Sequence, residues 1–252
     1  VMTTAGASAF NLDLSDIVEE AFERCGKELR SGYDLRTARR SLNLLTIEWA
    51  NRGINMWTIE QGQITLTQGV NTYDLPIDTI DLLEHQIRTN AGNQATQTDI
   101  TISRISVSTY ATIPNKLSQG RPIQVWIQRM SGAKYPPPGP NGTDPVTGID
   151  APKITVWPTP DGSQQYTFVY WRLRRIQDAG NGVNTQDIPF RFLNAMVAGL
   201  AYYLSIKLDG VDPNRSVMLK ADYEQQFQLA ADEDREKAPV RFVPRRMFLG
   251  GG

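Results

Sequence analysis

Leu14, Ile17, Val18, Ala21, Phe22, Cys25 and Leu29 recur at steps of three and four residues, so the spacing predicts an amphipathic helix with a single apolar stripe. Asp13 or Ser15 supplies a side-chain acceptor for the free N–H groups of its first turn, and Gly32 is the expected stop. Asp16, Glu19 and Glu20 fall at the positive end of the helix dipole, Lys27 and Arg30 at the negative end. Leu35, Ala38, Leu42, Leu45 and Trp49 step in the same way and predict a second helix, capped by Asp34 and closed by Gly53. A connection this short between two amphipathic helices favours an antiparallel pair.

Beyond Met56 the period changes to two. Ile64 and Leu66, then Val70, Tyr73 and Leu75, alternate with polar residues around Gln68-Gly69, which marks a hairpin or a tight corner; Pro76 limits the second strand. Further strands are expected over residues 85–88, 122–128, 153–157 and 166–174, a short helix over 103–112, and a loop over 115–120. Residues 131–151 are rich in proline and glycine and include Tyr135-Pro136-Pro137-Pro138-Gly139. Successive prolines lack the N–H that a helix or a central strand needs, so a long exposed loop is expected there. Phe192, Leu193, Met196, Val197, Leu200, Ala201, Tyr203 and Leu204 cover most of a helix circumference, as in a central helix packed on several sides. Asp209-Gly210 ends it, and Asp212-Pro213 opens a last helix with Leu219, Tyr223, Phe227 and Ala230 inward and a Lys220–Glu224 pair outside.

Together these elements predict an α+β fold. Two N-terminal and two C-terminal helices, residues 11–55 and 188–237, form an antiparallel bundle; residues 56–187 form a β-rich inserted subdomain; residues 238–252 form an extended tail. No internal repeat is visible.

Composition narrows the function classes. The 252 residues are 40% hydrophobic and 21% charged, with 26 basic and 27 acidic side chains and a net charge of −1. Mean hydropathy is −0.37, which is ordinary for a globular chain. A protein that grips phosphate backbones carries a basic excess, so dedicated nucleic-acid binding is disfavoured. The single cysteine allows no internal disulfide, which fits synthesis in a reducing cytoplasm. No signal peptide is read at the start of the sequence, and the apolar stretch 192–206 falls short of the ~20 residues a spanning helix requires.

Catalytic chemistry is hard to assemble from these residues. His85 is the only histidine, so one histidine and one cysteine cannot form a soft-ligand metal cluster, and no Gly-x-Ser-x-Gly elbow or phosphate-cradling loop is present. His85 reads most simply as a partly buried strand residue, with a lone catalytic base as the alternative; Cys25 sits on the apolar stripe as a small core residue. No cofactor is expected. An unidentified carboxylate pair among the 27 acids would be needed for a rival enzymatic reading, a peptidoglycan hydrolase. A nucleic-acid-binding module is the second rival.

Two features point to binding. Arg36, Arg39 and Arg40 cluster on the second helix, Arg36 and Arg40 on one face, either as a solvated surface or as an ion-paired contact with a neighbouring subunit. The tail contains Val240, Arg241, Phe242, Pro244, Arg245, Arg246, Met247 and Phe248. Its prolines keep it extended, and its apolar groups suit docking on a partner, although packing on its own bundle and plain disorder are alternatives.

The order of motifs resembles the head-to-tail adaptor family of short-tailed bacteriophages, also described as tail tubular protein A. Asp16-Ile17-Val18-Glu19-Glu20-Ala21, Leu35-Arg36-Thr37-Ala38-Arg39-Arg40-Ser41-Leu42-Asn43-Leu44-Leu45 and Trp49-Ala50-Asn51-Arg52-Gly53-Ile54-Asn55-Met56-Trp57 carry the likeness. Ile64-Thr65-Leu66-Thr67-Gln68-Gly69-Val70-Asn71-Thr72-Tyr73-Asp74-Leu75-Pro76, Ile113-Pro114-Asn115-Lys116 and Gly120-Arg121-Pro122 continue it. None of these motifs is catalytic. The resemblance implies a structural virion protein without enzymatic activity: a dodecameric homo-oligomeric ring beneath the portal protein, through which double-stranded genomic DNA passes without sequence-specific binding. The lower face of such a ring receives the tail nozzle and fibres, and the tail residues reach the portal. Tyr135, Pro136, Pro137 and Pro138 are then candidates for nozzle or fibre contacts. Membrane insertion is not expected.

Overall fold

The computed structural model describes residues 12–53, 56–130, 151–178 and 186–234. Helix α1 spans Leu14–Arg24, with the Asp13 side chain accepting from Asp16 N–H at its start. It stops at Gly26, six residues before the expected Gly32. Gly26 takes φ +72°, a left-handed conformation that costs glycine little. Its N–H donates to Glu23 O while Lys27 N–H donates to Phe22 O, the paired bonds of a Schellman stop. Leu29 still packs on the core, but from the connecting loop.

Helix α2 spans Gly32–Arg52. Its N-cap is Ser31 rather than Asp34: the Ser31 hydroxyl accepts from Asp34 N–H, and the Asp34 carboxylate accepts from Ser31 N–H, a reciprocal capping box. Gly53 closes the helix in the left-handed region, as expected. Helix α4 (Leu193–Lys207) is buried around most of its circumference, and α5 (Pro213–Glu233) opens with Asp212 as cap and Pro213 in its first turn. The two N-terminal helices are not each other's main partners; both pack on α4, which is the hub of the bundle. Its Gly199 lets Leu45 and Tyr223 approach so closely that an added Cβ would lie 2.9 Å from each.

The middle of the chain folds into two four-stranded sheets. One has the order β1 (Ile59–Thr65), β8 (Tyr166–Arg174), β3 (Thr79–Thr89), β4 (Thr98–Thr101); the other has β2 (Thr72–Asp74), β7 (Lys153–Trp157), β6 (Gln124–Gln128), β5 (Ser103–Ile105). All pairs are antiparallel except β5–β6. The turn at Gln68-Gly69 is therefore a corner and not a hairpin, since β1 and β2 belong to different sheets. Tyr73 OH holds that corner by donating to Val70 O and accepting from Thr67 N–H, both at 2.8 Å. Of the helix expected over 103–112, only α3 (Val107–Ala111) is helical; the preceding residues form β5.

Apolar burial is divided into two cores. One collects Leu14, Phe22, Leu42, Trp49, Phe192 and Tyr223 from the helices; the other collects Leu75, Ile87, Val125, Ile154 and Phe168 from both sheets. An α+β fold with helix pairs at both ends of an inserted β region is what the structure shows. The two parts meet at Trp57, whose ring lies 4.9 Å from that of Phe192 and whose Nε1 donates to Asp187 O at 3.0 Å. Arg174, at the end of β8, ties Glu60 to Asp187 beside it.

Candidate functional site: a contact surface

Trp49, Tyr223, Glu48, Tyr203, Arg52 and Glu224 form a polar network that locks α2 to α4 and α5. Trp49 Nε1 donates to Tyr223 OH at 2.9 Å, and Tyr203 OH donates to Glu48 Oε2 at 2.7 Å. Arg52 bridges Glu48 and Glu224 and lies 4.4 Å over the Phe227 ring. Glu224 thus has Arg52 as its ion-pair partner, and the expected Lys220 acts on it only as a more distant charge. Its hydrogen bond to Glu224 raises the pKa of Arg52 further, and burial with the nearby Glu48 carboxylate pushes the Tyr203 phenol up to about 12. Both shifts favour the protonated forms of Arg52 and Tyr203, and the network acts as a brace between the helices.

The candidates for chemistry look equally inert. Burial pushes the Cys25 thiol up to about 11, against a smaller lowering by Arg215, so little of the reactive thiolate exists at neutral pH. His85 lies in β3, stacked 6.2 Å from Phe168, and burial lowers its pKa from the usual 6.5. Among the described residues there is no group of three or more histidine, cysteine, aspartate or glutamate side chains placed to hold a metal ion. No helix among them is long and apolar enough to cross a membrane.

The surface is more informative. Arg36 and Arg40 are exposed on the outer face of α2 and make no ion pair among the described residues, whereas Arg39 is half-buried and engaged within its own chain. Tyr33, Leu44 and Ile47 extend the Arg36–Arg40 row as exposed side chains, Tyr33 at 70% exposure. A second surface was not foreseen in the sequence: a groove of about 850 Å³ between α1 and the start of α4, lined by Leu12, Phe190 and Val197 and by the charged Asp16, Glu19, Glu20, Glu23 and Arg24. Phe190 is 77% exposed there. The signal for it was present: Phe192 is core, and a residue two positions away points elsewhere. The tail residues Val240 to Phe248 and the loop residues Tyr135, Pro136, Pro137 and Pro138 lie outside the described residues.

Helices braced on a central hub, a two-sheet insertion and unpartnered charged and apolar faces define a structural assembly protein. Its working surfaces are for contact. The sequence matches the family model of the SU10 adaptor protein over residues 12–245, and the chain belongs to that family. No curated protein matches it. The protein is thus a head-to-tail adaptor of tailed phages, a structural component of the virion, and its family implicates ring assembly and partnership with portal and tail.

Proposed function

We propose that twelve copies of this chain close into a ring beneath the portal of a short-tailed phage, assembled in the host cytoplasm. In that ring the bundle, residues 11–55 and 188–237, stands beside its neighbours, and the insertion, residues 56–187, faces the nozzle, the fibres or the exterior. Arg36 and Arg40 serve contacts between copies, with Arg39 engaged within its own chain beside them. Val240, Arg241, Phe242, Pro244, Arg245, Arg246, Met247 and Phe248 dock on the portal, and Tyr135 with Pro136, Pro137 and Pro138 meets the nozzle or fibres. The observation that carries this reading is the family match across residues 12–245, which spans helices and insertion alike. A net charge of −1 supports it, because DNA slips past a balanced wall without the counterion release that holds it on a basic one.

Mixing the protein with its cognate portal protein and weighing the complex by native mass spectrometry tests the proposal. A twelve-copy ring on the portal is expected. Removing residues 238–252 is expected to weaken portal capture by roughly tenfold or more, the scale of losing a few apolar anchors, while leaving the thermal unfolding of the monomer unchanged. Unaltered capture by the shortened chain rejects the docking role of the tail.

A further inference from the structure

The acidic groove on α1 and the basic row on α2 are complementary in character. Asp16, Glu19 and Glu23 succeed one another at three- and four-residue steps, so they occupy one face of α1. None of them pairs with a lysine or arginine among the described residues; Arg24 turns instead to Glu20 and Asp222. On α2, Arg36 and Arg40 stand one turn apart, about 6 Å along the axis, with Tyr33 before them and Leu44 and Ile47 after. The row thus combines basic charge with exposed apolar groups, and the groove combines apolar lining with four acidic side chains and Arg24, which is held by Glu20 and Asp222. Single exposed apolar residues are ordinary, but a row continuous with unpaired charge, matched by a groove of opposite character elsewhere on the same molecule, is the composition of an interface.

The two surfaces also lie on different sides of the bundle. Helix α1 meets α4 at Asn194 and Ala201, seven residues apart on one face, through Arg24 and Cys25. Helix α2 meets α4 at Gly199, Tyr203 and Lys207, a row of four-residue steps on another face, through Leu45, Glu48 and Ser41. A row on one flank and a groove on the other cannot satisfy each other within one molecule. They can do so between successive molecules, and a heterologous contact of this kind is what generates a ring.

We propose that the occupant of the α1–α4 groove is a second copy of this chain, which lays the Tyr33–Arg36–Arg40–Leu44 row of α2 along it. Arg36 and Arg40 meet Asp16, Glu19 and Glu23, while Phe190 and Leu12 cover the apolar part of the row. This rests on the ring proposed above and specifies its repeating contact. Both surfaces belong to helices held by the same buried core, so little order has to be gained on association, and the charges set the direction of stacking.

Charge exchange tests the contact on the portal-bound ring. A chain carrying R36E and R40E keeps a normal groove, and a chain carrying E19R and E23R keeps a normal row; all four positions are exposed, and circular dichroism melts like those of the wild type establish that both variants fold. Neither variant alone is expected to close a ring on the portal. Mixed, they are expected to close a ring of alternating copies, because the intact row meets the intact groove at one contact and the reversed row meets the reversed groove at the next. All four substitutions in one chain restore opposite signs and are expected to recover the ring. Rings formed by either double variant as readily as by wild type overturn the contact and leave the adaptor role standing. Failure of the four-fold variant to recover any ring also overturns it. A wild-type chain that forms no ring with its portal removes the functional reading itself.

Discussion

Trp49 packs 5.3 Å from the ring of Phe192 and 5.6 Å from that of Phe227, and its Nε1 reaches Tyr223 OH. Replacing Tyr223 with phenylalanine keeps the ring but leaves the buried indole N–H without its acceptor. An unsatisfied buried donor costs about 1–3 kcal/mol, so Tyr223→Phe should lower the unfolding free energy by that amount, read as a lower urea midpoint with an unchanged slope. His85 gives a pH signature. Burial, reinforced by Arg104 and opposed by Glu84, lowers its folded pKa below 6.5. Below that pH the unfolded chain takes up a proton that the folded chain refuses, so acidification favours unfolding until the folded pKa is passed. Urea titrations at about pH 7 and about pH 5 should show a larger loss for wild type than for His85→Gln. Equal losses would remove His85 as the source.

Elements differ in how far their neighbours in sequence determine them. Helix α4 was legible because Phe192 to Leu204 is apolar on nearly every side, and its burial follows. The caps of α5 were legible because Asp212-Pro213 is a local signal. The end of α1 was misjudged because Leu29 continues the apolar period although the chain has already turned at Gly26. That turn is specific: Gly26→Ala forces a side chain to φ +72° and places its Cβ 2.0 Å from the Arg215 guanidinium. A loss of about 1–2 kcal/mol in chemical denaturation is expected, and no loss would contradict the role given to this stop. The insertion was legible only strand by strand. The runs 153–157 and 166–174 coincide with β7 and β8, but β1 pairs with β8 across more than a hundred residues, a match that no local pattern encodes. β4 is short and exposed, with no apolar alternation to announce it.

At the scale of the whole molecule, two apolar cores are joined through Trp57, Phe192, Asp187 and Arg174, and the joint couples the bundle to the insertion mechanically. The exposed arginines of α2 were legible as a cluster, but their complement on α1 was not, because Asp16, Glu19 and Glu23 read locally as ordinary partners of a helix dipole. Only the packing of both helices on α4 separates the two faces. The central claim is that these faces and the family's role converge on an assembly between portal and tail. Electron microscopy of the purified chain mixed with its portal tests it most directly. A closed ring seated on the portal, with helix bundles side by side around an open channel, is expected; portal particles left bare at saturating concentrations of folded chain would contradict the adaptor role.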